Sequence, residues 1–242
     1  MKKIFSMSEQ DILNLMHIPS EQLTDLVGYP VQYASNYFVV NDNDATIRFV
    51  SKSESGYIVP HSLELGKRPK GAIFYINKND KDIKNQKESI DKKKNRLSLG
   101  KPAGWDKINK NKDYEVYFHR GHIIACSLGG DKEIKGHDYK ALKSLFIQTA
   151  CSNMGKDVKE EEEEKINKFS QWHFEKIIKD TVVTESVCMA SRPVYRNKAD
   201  VIPIGVHLQA VTKERSLFNV FLPNIDPNIV IDYKKCTFKL KK

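Results

Sequence analysis

Little in this sequence would tie distant segments together covalently. Four cysteines, Cys126, Cys151, Cys188 and Cys236, are spread over 242 residues with no CxxC pair. That spacing excludes a readable zinc ribbon or dithiol redox motif, and at this density buried free thiols are the default over a disulfide framework. Long apolar runs are missing too, so no segment approaches the roughly 20 residues needed to span a bilayer. The basic stretch Met1 to Met7 is not followed by the apolar region of a secretory signal, so the chain reads as soluble with no export route visible. There are no internal repeats.

Positive charge is abundant. Forty Lys and Arg against 31 Asp and Glu give a net charge of +9. Between Lys78 and Lys112, twelve basic residues face five acidic ones, so this stretch alone carries +7. Such a surplus favours a polyanionic partner: nucleic acid, an acidic glycan or an acidic membrane surface. The stretch lacks apolar periodicity before Gly104-Trp105 and is expected to be a long basic loop over 78–112. A merely solvated loop in a lysine-rich chain is the plainer alternative.

Hydrophobic patterning places the remaining elements. Ser8-Glu9-Gln10-Asp11 opens a helix continued by Ile12, Leu13, Leu15 and Met16, giving a helical extension over 1–22. After Gly28-Tyr29-Pro30, strand-like runs cover Val31 to Val40, Thr46 to Val50 and Ala72 to Ile76. Tyr114 to Phe118 has strand character and ends in His119-Arg120-Gly121-His122; Leu145-Phe146-Ile147 is a second short strand. A helix is expected from Val158 to Lys179, with Glu160 to Glu164 in a solvated first turn that suits the helix dipole. Four strands follow, at Ser186 to Tyr195, Pro203 to Val211, Leu217 to Phe221 and Ile229 to Tyr233. Strands, one central helix and more strands suggest a single α+β domain over 1–242.

Three features can carry chemistry: the two histidines of His119-Arg120-Gly121-His122, Gln148-Thr149 followed by Asn153, and Glu175 on the expected helix. His122, at a strand end beside glycine, can be held rigidly and still reach a substrate. An unperturbed imidazole titrates near ~6.5, so at neutral pH it can take a proton from water. A lone histidine is more often a core or metal-binding residue; the basic loop and the downstream Asn and Glu change that weighting. Phosphodiester cleavage needs an activated nucleophile, a neutralised phosphate and a stabilised leaving oxygen. An amide oxygen within a water shell suits Mg²⁺, with Mn²⁺ as substitute, better than Zn²⁺, which takes several His or Cys ligands.

In this order and spacing, the motifs resemble those of the DNA/RNA non-specific endonucleases of the ββα-metal (His-Me finger) superfamily, particularly the secreted bacterial DNase branch. That family carries a DRGH motif, a QT segment, an Asn five residues after the Gln, and a Glu on the next helix. The counterparts are His119-Arg120-Gly121-His122, Gln148-Thr149, Asn153 and Glu175. Pro102-Ala103-Gly104-Trp105, Leu128-Gly129-Gly130 and the segments ending in Tyr195, Val206, Asn224 and Tyr233 extend the likeness from about Lys94 to Tyr233. The resemblance implies a central antiparallel sheet with helices, a ββα-metal finger over 113–180 and C-terminal strands over 181–242. It also implies a sequence-non-specific endonuclease acting on DNA and RNA and leaving 5′-phosphorylated ends. His122 would be the general base, Asn153 the direct Mg²⁺ ligand, Glu175 the residue orienting the ion's water shell, and Arg120 the holder of the loop. Gln148, Lys179, Arg96 and Lys92, Lys93 and Lys94 would meet the substrate. The family is often extracellular.

Two departures stand out. His119 replaces the usual Asp, and Lys179 replaces the usual Arg, keeping charge but losing bidentate geometry toward phosphate. They leave room for a non-catalytic nucleic-acid-binding relative of the family. A toxin nuclease neutralised by an inhibitor or immunity protein is a second alternative. A zinc site from His119, His122 and Cys126 is a third, disfavoured because no distant fourth ligand is evident.

Overall fold

The computed structural model describes residues 7–64, 67–80, 100–130, 142–155 and 169–241. Two short helices, α1 (Glu9–Met16) and α2 (Ser20–Val27), open the described chain. Ser8 caps α1 through a reciprocal capping box with Asp11, as the sequence suggests. The second helix was not evident in the sequence. It spans only eight residues, and Pro19 caps it without a side-chain hydrogen bond.

Seven strands form an antiparallel sheet: β1 (Val31–Tyr33), β2 (Phe38–Val40), β3 (Gly56–Leu63), β4 (Pro69–Ile76), and, later in the chain, Val187–Val194, Gly205–Val211 and Ser216–Pro223. Between them come α3 (Trp105–Ile108), α4 (Tyr114–Tyr117), β5 (Phe118–His122), β6 (Leu145–Thr149), α5 (Ala150–Met154) and α6 (Gln171–Val182). The later strands are therefore β7, β8 and β9, and the sheet order is β1-β2-β9-β8-β7-β4-β3. β10 (Ile229–Asp232) and β11 (Thr237–Leu240) form a separate ribbon, and β5 and β6 another. The expected α+β class and antiparallel sheet are observed.

β8 shows why the sheet is central, since all seven of its residues are buried. Val206, Leu208 and Ala210 alternate toward a core completed by Phe174, Ile178 and Val182 of α6. On the alternate positions, His207 and Gln209 hold polar layers. His207 Nε2 lies 2.6 Å from Asn219 Oδ1 and its Nδ1 3.4 Å from Arg192 Nη2. Arg192 in turn donates to the carbonyl of Val27, fastening the end of α2 to the sheet. A second core joins α1 and α2 to Ile202, Ile204, Ile229 and Tyr233.

Several expected elements need correction. Thr46 to Val50 is not a strand. Gln209 Oε1 accepts from the backbone N–H of Thr46 (2.7 Å) and Ile47 (3.3 Å), so a side chain satisfies groups that a ladder would otherwise pair. β3 escaped the sequence reading because Pro60 argues against a strand; it is tolerated at an edge with three register shifts against β4. Val31 to Val40 is two strands split by Ser35 and Asn36 at positive φ. Tyr114 to Tyr117 is a helical turn, and the strand begins only at Phe118. Of the helix expected from Val158 to Lys179, the described part starts only at Gln171, because Ser170 is an extended N-cap, and α6 runs on to Val182; residues 156–168, with their glutamate run, lie outside the described residues. The same holds for most of the basic loop. Among the described residues, no helix is long and apolar enough to cross a membrane.

Candidate active site

The antiparallel pair β5–β6 sets His119 opposite Gln148, Arg120 opposite Ile147, Gly121 opposite Phe146 and His122 opposite Leu145. Thr149 ends β6 and caps α5, its Oγ1 accepting from Ser152 N at 3.1 Å. The buried Asn224 anchors this corner. Its Oδ1 accepts from Thr149 N (2.7 Å), while its Nδ2 donates to the carbonyls of Ile147 (3.0 Å) and Pro203 (2.9 Å). The β5–β6–α5 unit is thereby held against the C-terminal strands, and α6 closes over it.

Within this frame most of the expected site residues converge. Asn153 Nδ2 on α5 lies 3.0 Å from His119 Nδ1. His122 Nε2 lies 3.1 Å from Cys126 Sγ, in the 3₁₀ turn Cys126–Leu128 just after β5. The His122 carbonyl accepts 2.8 Å from Gln171 Nε2, which also donates 2.8 Å to Glu175 Oε1. Gln148 Nε2 donates to Gln171 Oε1 at 3.1 Å. Arg120 and Lys179 are half-buried, Lys179 one helical turn beyond Glu175. Gly121 is required locally, because a Cβ there would collide with the Gln148 amide.

Burial dominates the electrostatics of Glu175. Desolvation pushes its carboxyl from an ordinary 4.5 up to about 7, against the opposing pull of the Gln171 hydrogen bond and the Lys179 charge. It therefore sits near its titration point at neutral pH, where a nearby cation would favour the carboxylate.

Gln148 requires a correction. It is 0% exposed, with its donor turned inward to Gln171 and to Ser152 Oγ (3.3 Å), so it supports the site from beneath and has no surface for substrate. Arg96, Lys92, Lys93 and Lys94 lie outside the described residues. Gln171 was missed as a partner of the site residues, and Cys126 entered only through the zinc alternative. The signal for Gln171 was its i,i+4 relation to Glu175, which puts both on one helix face.

The donor chemistry suits a hard cation. With its Nδ2 turned to His119, Asn153 could offer its Oδ1 to such an ion, and Glu175 could offer a carboxylate nearby. Among the described residues no group of three or more His, Cys, Asp or Glu is placed to hold a metal, which argues against the zinc alternative from His119, His122 and Cys126.

The fold defined by this sheet and its ββα corner is one seen in nuclease structures. No family model and no curated protein sequence matches the chain. Among solved structures, NucA from Streptococcus agalactiae with magnesium ion bound superposes with a TM-score of 0.71 at 23% identity, covering 99% of this chain and 100% of that one. The same protein with no metal bound gives 0.70 at 21%, covering 98% and 99%. Sda1 nuclease with bound zinc ion gives 0.51 at 18%, covering 84% and 83%. At these identities the likeness establishes the shared fold.

Proposed function

We propose that this protein is a divalent-metal-dependent endonuclease that hydrolyses DNA and RNA phosphodiester bonds with little sequence preference, leaving 5′-phosphorylated ends. The observation that carries the reading is that β5 carries both His119, in contact with Asn153, and His122, whose carbonyl is tied through Gln171 to Glu175, in a fold shared with nucleases. The net charge of +9 supports a polyanionic substrate.

In this reading His122 takes the proton from the attacking water, which requires a neutral imidazole. Its ring is steadied by Cys126, and its main chain by Gln171. Asn153 would hold a Mg²⁺ ion, or Mn²⁺ in its place, with Glu175 orienting the ion's water shell; the ion's chemical contribution would be to neutralise phosphate charge and stabilise the leaving oxygen. His119 orients the Asn153 amide. Arg120 holds the loop, Lys179 adds positive charge beside the phosphate, and the segment carrying Lys92, Lys93, Lys94 and Arg96 tracks the backbone.

Digestion of plasmid DNA and of RNA, with Mg²⁺ and with EDTA, tests the reading. Expected is cleavage of both that EDTA abolishes and Mg²⁺ restores, and that is lost in His122→Ala. Binding without cleavage under all metal conditions would support a non-catalytic nucleic-acid-binding protein instead.

A further inference from the structure

Gln171 opens α6 and is 1% exposed. Helix initiation does not depend on its side chain, because Ser170 is the cap, its Oγ accepting from His173 N at 3.3 Å. The Gln171 carboxamide is instead turned wholly into the site. Its Nε2 donates to His122 O and to Glu175 Oε1, both at 2.8 Å, and its Oε1 accepts from Gln148 Nε2 at 3.1 Å.

The direction of this chain is set at the His122 end. A backbone carbonyl can only accept, so the Gln171 amide cannot flip without bringing its oxygen against the His122 oxygen. With Gln171 so oriented, Gln148 must present its own NH₂ to the Gln171 oxygen. The result is visible one residue further. Gln148 Oε1 is buried with no hydrogen-bond partner among the described residues, pressed toward Gly121. An unsatisfied buried acceptor costs about 1–3 kcal/mol, so its retention means the opposite orientation is worse.

We infer that Gln171 is a positioning residue for the hydrolysis proposed above, tying the main chain of the general base on β5 to the carboxyl of Glu175 on α6. The single amide spans the two elements that must keep register: the strand that carries the proton acceptor and the helix that faces the cation. The inference rests on the nuclease reading, and it adds a residue that the motif pattern does not contain.

The experiment compares wild type with Gln171→Met, which keeps volume and loses all three hydrogen bonds, and Gln171→Asn, which withdraws the amide by one methylene. Steady-state cleavage of DNA gives kcat and KM, calorimetry without DNA gives Mg²⁺ affinity, and far-UV circular dichroism with thermal melting reports folding. Residues that orient ligands to a metal are typically worth 10–100-fold, so the Met variant should lose about that much in kcat or Mg²⁺ affinity with KM for DNA unchanged. The Asn variant should fall between. A Met variant with a lowered melting temperature but wild-type kcat and Mg²⁺ affinity would overturn the inference, making Gln171 structural only. Should the Met variant not fold, the Asn variant decides, and wild-type kcat and Mg²⁺ affinity there overturn it equally. A wild-type protein without Mg²⁺-dependent cleavage overturns the nuclease reading and this inference with it; an active wild type with unaffected variants overturns the inference alone.

Discussion

His119 Nδ1 and Asn153 Nδ2 lie 3.0 Å apart, so the residue that departs from the motif the sequence resembles meets the proposed metal ligand directly. An acceptor at this position turns the Asn153 amide so that its oxygen would be the atom offered to the proposed ion. His119→Ala should release that orientation and raise the Mg²⁺ concentration for half-maximal cleavage by about 10-fold, the lower end for a residue that orients a ligand. His119→Asp, which supplies a carboxylate acceptor, should preserve or raise activity. A Mg²⁺ titration of all three proteins checks this; identical curves for His119→Ala and wild type would remove the role.

His122→Ala should lower the cleavage rate by ~10²–10⁴, the usual worth of a positioned general base, while folding and DNA affinity stay nearly intact. The wild-type rate should also fall on acidification, as the imidazole becomes protonated and can no longer accept a proton. Single-turnover rates beside a DNA-binding titration separate the two effects. If His119→Ala is dead and His122→Ala is active, the base is the other histidine.

Two buried groups should bend the stability of the metal-free protein in opposite directions. Burial pushes His207 down to about 4, with the Arg192 charge adding to it and the Asn219 hydrogen bond opposing it. Its folded pKa lies below the unfolded value, so its contribution is present above pH ~6.5 and is lost as pH falls toward about 4. Glu175 is raised from 4.5 to about 7, so its contribution is present below 4.5 and is lost as pH rises through about 7. Each swing amounts to about 3 kcal/mol and the two largely offset one another. Glu175→Gln removes one side. Urea unfolding in EDTA should then show the variant gaining about 3 kcal/mol relative to wild type between pH 4.5 and 7. Parallel curves would mean that Glu175 titrates as an ordinary carboxylate.

Binding should be strongly salt-dependent if the basic segment follows the phosphate backbone, because each neutralised phosphate releases counterions. Neutralising Lys92, Lys93 and Lys94 together should flatten the slope of log K against log salt by up to about 3 on a duplex and weaken all sequences alike. Fluorescence anisotropy on two unrelated duplexes measures it. An unchanged slope would make the segment a solvated loop only.

The sequence alone determined the α+β class and the C-terminal strands, since apolar runs over Val187–Val194, Gly205–Val211 and Ser216–Pro223 with breaks of Pro, Asn, Asp or charged residues between them are a local signal that needs no partner to be read. It also named His122, Asn153 and Glu175 as candidates, because their residue types and order are local properties of the chain. Tertiary structure decided what those residues touch. Gln209 capturing the backbone of Thr46 and Ile47 and Asn224 pinning Thr149 are contacts across large sequence separations, and Pro60 is tolerated only because β3 lies at the sheet edge. Gln171 is the clearest case. Its four-residue spacing from Glu175 was readable, but the His122 carbonyl 49 residues away and the Gln148 amide 23 residues away reach it only once β5, β6 and α6 are assembled. A hydrogen bond depends on distance and direction in space, and a linear pattern carries neither.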